Sequence, residues 1–365
     1  MRCNPRDGSA HANLGNVYSE QGQYEKGADA DRENLRLAPD RVFSNADFCN
    51  NLLALQRFDE ARQIIQQAQA RKLDDLELHN AVYALAFLAA DSAAMAEQQQ
   101  WFVGKREENI GLSLASDTEA YAGRLSKARE LTKQSLDSAI RADSKETGAI
   151  FQGNAALREA AFGNAADAKQ AAAEALKLAP VSPGVEVEAA LAFALAGDAA
   201  RAESLAQDLT KRFPLDTQIQ SLWLRAIRAQ LALDRKIPPD ALNGFEAAGP
   251  IELGQINFLA NISCLYPTYI RGEAYLAAGQ GSAAAAEFQK ILDHSGIVWN
   301  CWTGALAHLG VARANALQSR TSQGDDADAA RIRALAAYKD FLTLWKDADP
   351  DIPILKQAKT EYANQ

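Results

Sequence analysis

Residue types recur along this chain at intervals of 34, and that period constrains the fold more than any other feature. A shift of 34 carries Leu14 onto Phe48, Gly15 onto Cys49, Tyr18 onto Leu52, Tyr24 onto Phe58 and Gly27 onto Ala61. Gly163 and Gly197 stand the same distance apart, as do Ala168 and Ala202, and Pro180 and Pro214. Each unit holds two helical patterns around a glycine or a polar turn. The apolar residues are mostly Ala and Leu, with few β-branched or aromatic side chains, which favours helix over strand.

A 34-residue unit of two helices is the signature of the tetratricopeptide (TPR) repeat. The expected fold is all-α: a TPR α-solenoid of antiparallel helix pairs in a right-handed superhelix, with about nine repeats, some degenerate. The phase places units near 8–41, 42–75, 76–109, 110–146, 149–182, 183–216, 217–250, 265–298 and 303–346. Small residues such as Gly15 and Gly27 let paired helices approach closely. Rings such as Tyr18 fill the space between units, and Pro39 ends a second helix because its ring cannot continue one. The expected organisation is a disordered segment 1–7, an array over 8–243, an interrupting loop at 244–264, and further units over 265–365 closed by a capping helix. "SRTSQGDDADAAR" at 319–331 reads as a polar loop, and Asp351 as the cap of the last helix, with Pro353 in its first turn.

The net charge of −9 argues against a nucleic-acid partner, which wants a basic face. No apolar run approaches the roughly 18–20 residues that cross a bilayer, and "MRCNPRDGSA" has no signal-peptide core. The default expectation is therefore the cytoplasm, without membrane insertion. Cys3, Cys49, Cys264 and Cys301 lie far apart with no CxxC spacing. That argues for separate thiols over a Cys264–Cys301 bridge, with Cys49 a small buried residue. His11, His79, His294 and His308 lack metal-ligand spacing. The acids Asp325, Asp326 and Asp328 suit a helix start better than a calcium loop. No nucleophile arrangement and no cofactor motif is recognisable, so an enzyme on this scaffold is the weakest class.

Some wording goes beyond a generic repeat. "YIRGEAYLAAGQGSAAAAEFQKILDHSGIV" at 269–298, "GALAHLGVARANAL" at 304–317 and "FLTLWKDADPDIPILKQAKTEYA" at 341–363 are the most specific stretches. They resemble the C-terminal TPR tail of large bacterial serine/threonine protein kinases of the kind found in Acidobacteria. The resemblance covers nearly the whole chain and implies a sensory or docking tail. It carries no kinase activity over, because the chain has no glycine-rich phosphate loop, HRD or DFG.

The function class that remains is a non-enzymatic scaffold that binds a protein or peptide in its concave groove. The alternative is the detached regulatory tail of a bacterial serine/threonine kinase, acting in signalling or oligomerisation. On TPR geometry the inward positions include Asn13, Asn16 and Glu20 in the first unit and Asp47 and Asn50 in the second. Tyr266, Tyr269 and Glu273 line the eighth. Amides on such a face hydrogen-bond the backbone of an extended peptide, and tyrosines bury area at low entropy cost. Of the carboxylate-clamp positions of chaperone-binding TPR domains, Asn16 matches, but the others hold Ala12, Asp47, Glu77 and Ala81, so an acidic peptide would meet carboxylates instead of cations. Leu14, Val17 and Tyr18 are expected to be partly uncovered, leaving a strip for self-association through the uncapped first repeat.

Overall fold

The computed structural model describes residues 8–245, 251–256 and 262–365. The described residues form helices throughout, with no strand among them. Six regular pairs come first: α1 (Gly8–Glu20) with α2 (Tyr24–Leu37), α3 (Val42–Ala54) with α4 (Phe58–Ala70), and α5 (Leu76–Leu88) with α6 (Ser92–Phe102). Then follow α7 (Glu108–Tyr121) with α8 (Leu125–Arg141), α9 (Lys145–Phe162) with α10 (Ala165–Leu178), and α11 (Pro183–Leu195) with α12 (Ala199–Arg212). A π-helical turn, Ile219–Trp223, leads into α13 (Leu224–Asp234), which pairs with a short α14 (Pro238–Asn243). The chain resumes with α15 (Tyr266–Ala277) and α16 (Gly281–Asp293), a four-residue α17 (Ser295–Val298), the long pair α18 (Trp302–Thr321) and α19 (Gly324–Leu344), and α20 (Pro353–Ala363). This is an all-α solenoid of helix pairs.

The period has a backbone cause at the turns. One residue in each of the eight intra-pair turns from α1/α2 to α15/α16 adopts a left-handed φ: Gly22, Gln56, Ala90, Gly123, Gly163, Gly197, Lys236 and Gly279. The next residue then donates its N–H five residues back, as in Gln23 to Tyr18 O at 2.8 Å, Arg57 to Leu52 O at 2.8 Å and Asp198 to Phe193 O at 2.8 Å. That is the Schellman closure, which satisfies the last carbonyls of the first helix and turns the chain back. Pro39, Pro180 and Pro214 each follow the end of a second helix, at Leu37, Leu178 and Arg212. Proline there prevents the helix from continuing.

The small positions of the first units do more than let helices approach. A Cβ on Gly15 would lie 2.2 Å from Asp31 Oδ1, and one on Gly27 would lie 2.5 Å from Asn51 Oδ1. The missing side chains make room for a buried polar network. Asn51 Nδ2 donates to Asp31 Oδ2 at 2.6 Å, and Ser19 Oγ donates to Asn51 Oδ1 at 2.9 Å. Burial, reinforced by the Asp47 charge, pushes the Asp31 carboxyl up to about 7.

Three expectations need correction. Cys264 and Cys301 are joined by a disulfide, with their Cα atoms 5.5 Å apart, because α17 returns the chain to the start of α15. Cys49 is buried and free, as expected. The segment 319–331 is almost wholly helical, since α18 runs to Thr321 and α19 starts at Gly324. The last helix has Ile352, not Asp351, at its cap, while Asp349 Oδ2 accepts from the Ser126 N–H at 2.6 Å. The expectation of disorder at 1–7 and parts of the expected 244–264 loop fall outside the described residues. Within that loop, Arg271 pairs with Glu252 at 2.7 Å and 3.1 Å, and Lys290 donates to Glu252 at 2.8 Å, which ties residues 251–256 to α15 and α16.

Candidate functional site

The C-terminal ends of the first helices converge on the chain's own later residues. Ser19 O at the end of α1 accepts from the Gln255 N–H at 2.9 Å, and the Tyr24 hydroxyl donates to Leu253 O. Beyond α3, Gln56 donates to Asp293 O, and a Cβ on Gly296 would lie 1.8 Å from Leu53 O. On α7, Leu114 O and Thr118 Oγ1 accept from Asn300 Nδ2 at 2.9 Å and 3.0 Å, and Tyr121 O accepts from Trp345 Nε1 at 3.0 Å. Phe162, ending α9, meets the edge of Trp345 with ring centroids 5.0 Å apart. The inner face expected to hold a partner is therefore occupied there by the C-terminal half of the same chain.

At the middle of this seam lies a buried polar cluster. Tyr266 on α15 donates its hydroxyl to Asn154 Oδ1 at 3.1 Å, and Asn154 Nδ2 donates to Asp117 Oδ1 at 3.2 Å. Arg158 donates to Ser116 Oγ at 3.1 Å and Thr132 Oγ1 at 3.2 Å, and stands 3.9 Å from Asp117. Glu188 on α11 is fully enclosed, and neither of its carboxyl oxygens has a partner. Burial pushes Asp117 up to about 7 despite the Arg158 charge. Burial and then the Asp117 charge hold Glu188 well above the usual carboxylate range.

The sequence candidates divide into two separate places. Asn13 and Asn16 are exposed on α1, and Glu20 is half-buried at its end. Asp47 and Asn50 are half-buried on α3, where burial pushes the Asp47 carboxyl up to about 6. Tyr266 and Tyr269 are buried in an aromatic cluster: Tyr266 stacks on Trp302 at 5.6 Å between centroids, and Tyr269 meets the edge of Trp302 at 5.2 Å. Glu273 is half-buried beside Tyr269, its carboxyl raised by burial. The tyrosines are structural contacts of the seam, apart from the amides of α1 and α3. Asp117, Arg158 and Glu188 went unmarked in the sequence, although an acid inside the apolar run "VEVEAALAFALAG" was a signal for Glu188.

No group of three or more His, Cys, Asp or Glu side chains able to hold a metal occurs among the described residues. His79 is engaged by Trp101, stacked at 3.8 Å, and by Gln98 and Asp74 at 2.6 Å and 2.7 Å. No helix among the described residues is long and apolar enough to cross a membrane. Of the expected strip, Leu14 is exposed at 43% and Val17 at 47%, while Tyr18 is half-buried with Lys26 over its ring at 5.5 Å.

No family model matches the chain, and no curated protein is significantly similar to it. Among solved structures it is similar to a tetratricopeptide repeat protein from Parabacteroides merdae, at 11% identity and TM-score 0.36, over 84% of this chain and 98% of that one. It is similar also to yeast Tom70, at 13% identity and TM-score 0.40, over 98% of this chain and 88% of that one. The TPR domain of P58(IPK) matches at 12% identity and TM-score 0.25, over 98% and 97%. Likeness this loose carries nothing further, and the TPR-like reading stands on the 34-residue period and the matching register of the turns.

Proposed function

We propose that the chain is a non-enzymatic interaction scaffold, an array over 8–243 followed by units over 265–365, that binds a protein or peptide through its N-terminal helix pairs. The observation behind this reading is the first helix. Asn13 and Asn16 are exposed there beside exposed Leu14 and Val17, while the inner ends of α1, α3, α7 and α9 are taken by the chain itself. Amides next to apolar side chains suit an extended backbone with apolar anchors. Self-association through Leu14 and Val17 belongs to the same reading. One capture experiment addresses both, using a tagged chain in an extract of the source cells that also holds the untagged chain. Asn13→Ala with Asn16→Ala should lose a specific partner, and Val17→Glu should lose the untagged copy. The same captured set from the wild type and every variant would sink the proposal.

A second reading makes the chain the regulatory tail of a bacterial serine/threonine kinase, supported by the wording at 269–298, 304–317 and 341–363. A kinase reading frame adjoining this one supports it, and the absence of one removes it. The Cys264–Cys301 disulfide favours an oxidising compartment over the cytoplasm for this half of the chain.

A further inference from the structure

Glu188 is enclosed where the C-terminal half meets the inner side of the array. Its carboxyl fits because residue 153 on α9 is glycine: a Cβ there would lie 2.5 Å from Glu188 Oε2. The charged and titratable groups around it offer it no cation. From α7 comes Asp117, a second carboxyl. From α9, Arg158 is turned to Ser116, Thr132 and Asp117, and Glu159 is held by Arg129 at 2.7 Å. From α15 comes the Tyr266 hydroxyl, committed to Asn154. On the neighbouring turn of α11, Glu186 already holds Arg212 at 2.8 Å, and Arg225 of α13 donates to Gly244 O at 2.5 Å. An ionised carboxylate at Glu188 would be buried without a donor and close to a second acid.

We propose that Glu188 is a proton-dependent latch, seating α15 and the helices behind it on the first helices of the array while its carboxyl is neutral and releasing them when it ionises. The step is simple: the Glu188 O–H bond breaks, its electron pair stays on the carboxylate, and the proton passes to solvent base. The disulfide does not oppose release, because Cys264 and Cys301 both lie on the C-terminal side of the seam. Release uncovers the carbonyls at the ends of α1, α3 and α7, the face that a TPR-like array presents to partners.

The sign follows from the direction of the shift. The docked carboxyl lies well above its free value. Docking is therefore complete at acid pH, below the ordinary carboxylate range, and weakens as pH rises through the raised value. The window opens at the ordinary carboxylate range and closes at that raised value. With one proton lost on release, the undocking constant rises about tenfold per pH unit there.

The test is hydrogen exchange on the full, oxidised chain at about pH 5 and about pH 9, with α10 as an internal reference for the intrinsic rate. In the wild type, protection of α15 and α18 relative to α10 should fall at least tenfold. In Glu188→Gln, which keeps the shape of the neutral acid, the fall should be clearly smaller than in the wild type, with Asp117 alone accounting for what remains. Glu188→Leu provides the same uncharged state if the glutamine variant folds poorly. An unchanged ratio in the wild type, or an equal fall in the wild type and both variants, overturns the latch.

Discussion

Gly15 and Asp31 form one unit of design in the first helix pair. The glycine has no side chain because the Asp31 carboxyl stands where a Cβ would be, 2.2 Å away. The carboxyl in turn is fixed by Asn51 from the next pair, so one polar contact crosses three helices. Gly15→Ala forces the carboxyl out of its place between α1 and α2. The expected cost is about 1–3 kcal/mol, the usual range for overpacking a closed site. Urea unfolding measures it, and a variant as stable as the wild type contradicts this packing. The need for a small residue at Gly15 was legible in the sequence. Its reason was not, because the carboxyl that claims the space belongs to another helix. The same holds for Glu188: an acid in an apolar run was visible, but not that its surroundings supply no donor.

Among elements, the turns carry the period. A left-handed residue closes each of the eight intra-pair turns from α1/α2 to α15/α16, and glycine adopts that backbone at no steric cost, whereas Gln56, Ala90 and Lys236 do so with a side chain. Ala90 is exposed, so replacing it with glycine gives up little buried surface. Ala90→Gly is therefore expected to stabilise the chain by about 0.5–1 kcal/mol. A urea midpoint equal to or below that of the wild type counts against a left-handed turn at this position. These turns, the helix ends before Pro39, Pro180 and Pro214, and the pairing of helices were readable from spacing alone. The disulfide was not. Cys264 and Cys301 are separated by a whole helix pair, and only the return of the chain through α17 brings them together. Within the expected pair over 303–346, the stretch 319–331 was misread, because a polar run rich in Asp and Ser looks like a loop while it forms the exposed start of a helix.

For the whole molecule, a repeat array is expected to be a ribbon in which each unit touches only its neighbours. Here residues 251–256, Tyr266, 293–300 and 345–353 lie against the first helices instead, through contacts that join positions more than a hundred residues apart, such as Trp345 to Tyr121 and Asn300 to Leu114. The accessible surface is 16112 Å², against about 14,000 Å² for a compact monomer of this mass. The 34-residue period could not announce this closure, since it describes contacts between neighbouring units and says nothing of a chain returning to its own inner face. The most direct measurement of that closure is small-angle X-ray scattering of the full chain at mildly acid pH. Closure predicts a radius of gyration near the compact-domain value of about 21 Å with a single-peaked distance distribution. A radius about a quarter or more above that, with a long tail of distances, would show an open array and contradict it.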